Sequence, residues 1–104
     1  MHYIALLLTG ALLCNCIPHL ASGLRGEWFP TPFATPRGIG RSSPLLNFIW
    51  GAANGVAGGL LLAHQGMPAA IGPASLCLLL GFLAMGGYLS RHFGKVRLSP
   101  QWHG

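Results

Sequence analysis

The chain has 104 residues, 52% hydrophobic and only 7% charged, with sixteen glycines. About a quarter of the residues of a water-soluble domain are usually charged, so this composition argues against a soluble fold. Six Lys/Arg stand against a single acid, Glu27. The basic residues sit just outside apolar segments and no base-reading motif is present, so membrane lipids rather than nucleic acid are the expected partner.

The length suits about three bilayer spans of roughly 20 residues each. The first is predicted over residues 3–20, apolar for about 27 Å at about 1.5 Å per residue. A cleaved secretory signal is disfavoured, because only His2 precedes the apolar run where a positive region is needed. A lipoprotein signal also fits badly: Leu13 precedes Cys14 and Asn15 precedes Cys16. Cys14, Cys16 and Cys77 are odd in number and lie in apolar segments, which argues against a disulfide framework. Cys14, Cys16 and His19 are the candidate metal ligands, since thiolate and imidazole suit soft and borderline ions. On a helix Cys16 and His19 share a face, whereas Cys14 points about 160° away from Cys16. Two buried thiols and an interfacial His form the plainer reading. Pro18 is expected to loosen the last turn.

Residues 21–43 are predicted to be an interfacial loop. Pro30, Pro32 and Pro36 forbid a regular helix. Trp28, Phe29 and Phe33 interleave with them, as expected of aromatics at head-group depth. A re-entrant dip would need other protein to satisfy its backbone. The stretch Gly38 to Ser43, just before a helix start, could offer free N–H groups to a phosphate or lipid head group, with Arg37, Arg41 and Ser42 as the candidate lipid or anion residues. It lacks the spacing of a Walker loop, and a flexible hinge plus a helix cap is the alternative.

Ser43-Pro44 predicts a capped start for a second span over residues 44–63. Asn47, Trp50, Gly51, Asn54, Gly55 and Gly58 share one face of it. Gly51, Gly55 and Gly59 form two overlapping G-x-x-x-G steps that admit a close neighbour. Asn15, Asn47 and Asn54 are predicted to join helices, each bond contributing about 0.6–2 kcal/mol, with a polar pathway or ligand pocket lined by these amides as the alternative. A turn at residues 64–68 leads to a third span over residues 69–90. There Ala74, Cys77, Gly81, Ala84 and Gly87 make a second small-residue face. The two faces predict a packed hairpin of the second and third spans, with Asn47, Gly51, Asn54, Gly55, Gly58, Gly59 and Gly81 at helix contacts. Residues 91–104 are a basic tail.

All six Lys/Arg fall in the loop and the tail, which three spans place on one side. The positive-inside rule then puts the N-terminus outside and the loop and C-terminus in the cytoplasm.

At NCIPHLASGLRG, FPTPFATPRGIG and SSPLLNFIWGAANG, over roughly residues 14–60, the chain resembles a family of small, uncharacterised bacterial inner-membrane proteins. The resemblance implies a bacterial inner-membrane location and that loop and second span form one unit. It implies no activity, cofactor or catalytic residue.

One acid leaves no carboxylate pair for acid–base catalysis, and no nucleophile elbow is present, so an enzyme is not expected. The spans hold no Asp or Glu for proton coupling. The leading expectation is an all-α, single-domain accessory protein of the membrane that packs on itself or on another membrane subunit, without a cofactor. The alternatives are a small carrier or channel, for instance for a soft metal ion, and a lipid-head-group binding protein.

Overall fold

The computed structural model describes residues 3–102, apart from the side chain of Gln101. Met1, His2 and the end of the expected basic tail, His103 and Gly104, lie outside the described residues. The elements are α1 (Tyr3–Leu24), α2 (Pro44–Gln65) and α3 (Pro73–Arg97), followed by a short 3-10 turn, Pro100–Trp102. Each of the three helices is long and apolar enough to cross a membrane. At about 1.5 Å per residue they exceed the roughly 30 Å of a hydrocarbon core. The fold is all-helical, as its hydropathy pattern predicts.

Capping chemistry sets most helix ends. The α1 terminus closes with Gly26 at φ 71°, its N–H bonded to the Gly23 carbonyl, while the Glu27 N–H reaches Ser22. That is a Schellman closure, which favours glycine at the left-handed position. It carries α1 six residues past Pro18, beyond the predicted end at residue 20. The Ser43 side chain accepts from the Leu46 N–H at 3.1 Å, with Pro44 at the first helical position of α2. Ser75 caps α3 by accepting from the Gly72 N–H at 2.9 Å. The third helix thus begins at Pro73, later than predicted, and continues through Arg97, so half of the expected tail is helix.

The arrangement differs from the predicted hairpin. Among the described residues α2 and α3 make no contact with each other; α1 lies between them and packs on both. The reason is that α1 carries close-approach positions on two faces. A Cβ at Gly10 would overlap the Leu78 carbonyl, and one at Gly81 would overlap the Leu7 carbonyl, so the α1 and α3 backbones nearly touch. On the other face, a Cβ at Gly51 would lie 2.6 Å from the Leu20 nitrogen, and one at Gly23 2.6 Å from the Phe48 nitrogen. Small residues in a bilayer permit this intimacy, which increases dispersion contact between helices. Gly55 packs on the Cys16 sulfur and Gly58 on the Leu13 side chain, whereas Gly59 faces open space. Within the small-residue series predicted on α3, Gly81 is buried but Ala84 and Gly87 are exposed.

Candidate functional site

The segment between α1 and α2 is folded back onto the bundle. Phe29 and Ser42 exchange both backbone hydrogen bonds, at 3.2 and 3.0 Å. The Thr31 and Ser42 hydroxyls meet at 2.6 Å, and both residues are buried. Thr31 and Pro36 carbonyls accept the N–H groups of Ala34, Gly38, Ile39 and Gly40. The end of α3 completes the attachment: the His92 ring bonds the Gly38 carbonyl at 2.6 Å, and the Trp102 indole donates to the Ile39 carbonyl at 2.8 Å. Thus the loop and the end of α3 occupy the same end of the molecule, and all six Lys/Arg lie there. Trp28 and Phe33 remain exposed, but Phe29 turns inward against His19 and Phe93.

Asn47 joins these parts. Its Nδ2 donates towards the carbonyls of Phe29, Ser42 and Ser43, at 2.9, 3.2 and 3.1 Å. With the amide nitrogen engaged in this way, Oδ1 must be an acceptor, and it lies 2.9 Å from Nδ1 of His19. His19 therefore carries its proton on Nδ1, which leaves Nε2 as the lone-pair nitrogen of the neutral ring. About two turns further along, Asn54 Nδ2 donates to the Trp50 carbonyl at 2.8 Å, and its Oδ1 accepts from Asn15 Nδ2 at 3.0 Å. Two Asn-centred links thus tie α1 to α2, one to the loop as well.

A cavity of about 320 Å³ opens between these links and α3. Asn15 and His19 of α1, Trp50 of α2, and Pro30 to Pro32 with Arg37 and Gly38 of the loop form one wall. Met85, Tyr88, Leu89, His92 and Phe93 of α3 form the other. No carboxylate is among them; Glu27 is paired with Arg25 at 2.7 Å on the exposed surface. His19 is only 2% exposed, and its Nε2 has no partner among the described residues. The Trp50 indole nitrogen is buried and likewise without a partner there. Arg37 is exposed at the rim. The volume lies at the low end of ligand pockets, suited to a small polar group rather than to a whole lipid.

The predicted site residues are distributed as follows. Cys14 borders Gly86 of α3 and Cys16 borders Gly55 of α2, while His19 bonds Asn47. Among the described residues no three His, Cys, Asp or Glu side chains gather into a metal-sized group. Arg37, Arg41 and Ser42 also part company. Arg37 stands at the cavity, Arg41 lies 4.8 Å over the Trp102 ring, and Ser42 is buried on Thr31. Asn47, Gly51, Asn54, Gly55 and Gly58 all face α1, whereas Gly59 does not. Sequence reading missed Tyr88, Phe93 and the inward role of His92. Their signal was weak because aromatics and a His on a terminal helical turn look like interface residues.

Comparison with protein-family models, curated proteins and solved structures returned no match to this chain.

Proposed function

We propose that this chain is a small multi-pass protein of the bacterial inner membrane that binds an anionic head group at its loop end, with that end in the cytoplasm. The observation that supports this reading is the acid-free cavity at the basic end, rimmed by Arg37 and lined by Asn15, His19 and His92. An Arg guanidinium recognises phosphate through paired N–H donors, more strongly where the surroundings exclude water. The structured loop supports a binding role over a mere linker, because its Gly38 carbonyl bonds His92 of α3 and it sets Arg37 at the cavity. The reading is of a binding protein, not an enzyme. Native mass spectrometry of the purified chain with added anionic lipid tests it. Arg37→Ala should weaken retention about tenfold without altering helicity, since no described protein group bonds that guanidinium. Unchanged retention would count against the site.

A second reading, an accessory subunit or homo-oligomer, is supported by α3. Only 6% of its apolar stretch is buried, against 28% for α1, and Gly87 faces open space. Crosslinking in native membranes should then recover a dimer or a defined partner, and monomer alone would refute it. A soft-metal carrier draws little support, because Cys14 and Cys16 point to different neighbours of α1.

A further inference from the structure

Resting on the head-group reading, we infer that the cavity selects an anionic head group that also carries free hydroxyls, a glycerol-type phosphodiester, over a head group of phosphate alone or of phosphate with a quaternary ammonium. The selectivity follows from two hydrogen-bond chains whose polarity is locked at its far end. In the first, three backbone carbonyls take Asn47 Nδ2, so Asn47 Oδ1 takes the proton of His19 Nδ1. The neutral imidazole then presents Nε2 as an acceptor. In the second, the Trp50 carbonyl takes Asn54 Nδ2, so Asn54 Oδ1 takes a proton of Asn15 Nδ2, and Asn15 Oδ1 is left as an acceptor.

His92 follows the same logic. Its Nε2 faces a carbonyl, which can only accept, so Nε2 carries the proton and, in the neutral ring, Nδ1 holds the lone pair. The cavity wall therefore offers acceptors from Asn15, His19 and His92, together with the donors of Arg37. A phosphate monoester in its dianionic form, the head group of phosphatidic acid, supplies acceptors only. It would meet Arg37 but confront the lone pairs of His19 and Asn15. A choline head group adds a cation with no N–H or O–H, and six Lys/Arg at the same end oppose any cation. A hydroxylated alcohol supplies the missing donors without positive charge. The low-end volume admits such a group and little more.

The test uses the full chain in neutral detergent, with three lipids of identical acyl chains compared by native mass spectrometry. These are phosphatidylglycerol, phosphatidic acid and phosphatidylcholine. One unmet buried acceptor lowers affinity about fivefold or more, so phosphatidylglycerol should exceed both others by at least about that factor. Arg37→Ala should weaken phosphatidylglycerol and phosphatidic acid alike and leave their ratio unchanged. Asn15→Ala should narrow the ratio; should that variant fail to fold, the lipid series on the natural chain decides. Glycerol 3-phosphate as competitor separates a membrane source from a soluble one: displacement of lipid at millimolar levels would assign the site to the free compound. Equal retention of phosphatidic acid and phosphatidylglycerol would overturn the hydroxyl selectivity while leaving the head-group reading intact. Equal retention of all three, indifferent to Arg37→Ala, would overturn both.

Discussion

Replacing Asn47 by Leu should do more damage than any other single polar substitution within the spans. The side chain is fully buried and joins α1, the loop and the start of α2. Two amide N–H bonds are lost, at about 1 kcal/mol each. The three carbonyls retain other roles: Phe29 and Ser42 accept each other's N–H, and Ser43 accepts the Asn47 N–H at 3.0 Å. The Nδ1–H of His19, however, is left buried without an acceptor, which costs a further 1–3 kcal/mol or so. The expected loss is about 4 kcal/mol. Asn54→Leu removes the Asn15 link and a local bond to the Trp50 carbonyl, so about 1–2 kcal/mol is expected there. Unfolding of the purified protein in mixed micelles by sodium dodecyl sulfate, followed by circular dichroism, measures both. Limited proteolysis should in addition show the loop of Asn47→Leu cut well before the helices unfold. Equal stability of Asn47→Leu and the natural chain, with the loop still protected, would refute the placement of Asn47 at the centre of the network.

Gly81→Leu should force α1 and α3 apart, since even a Cβ would sit 2.8 Å from the Leu7 carbonyl carbon; a loss of about 3 kcal/mol or more is expected in the same titration. Gly59→Leu, with nothing within 4 Å of its Cβ, should change stability by less than about 0.5 kcal/mol although it lies in the more conspicuous motif. Single cysteines at the exposed positions Arg37 and Leu98 should react with a membrane-impermeant maleimide from one side, and one at Met67 from the other. On the proposed orientation, the first two label only after the inner face is opened, and labelling of intact cells would reverse it.

Three apolar stretches, a Pro-interrupted segment and the Ser43-Pro44 cap were legible in the sequence because each is a local property. Twenty apolar residues in a bilayer must satisfy their backbone as helix, and proline removes a donor wherever it stands. The grouping of all six basic residues at one end follows equally from an odd number of spans. Which helix sits in the middle was not legible. Gly51, Gly55 and Gly59 on α2 look like the dominant packing signal, yet α1 became central through Gly10 and Gly23, which form no such motif within it. A glycine admits a neighbouring backbone from any helix, so spacing shows where a close approach is tolerated and not who makes it. A pocket near Asn15 could be imagined from the sequence, but its other walls were hidden for the same reason. Asn15, His19, Arg37, Trp50 and His92 are separated by up to 77 positions, and only the return of the loop onto α1 and α3 sets them around one space. The directions of their hydrogen bonds were further still from view, because each depends on which carbonyl the far end of its chain meets. Local chemistry wrote the helices and their ends; long-range packing chose the partners, and with them the polarity of the site.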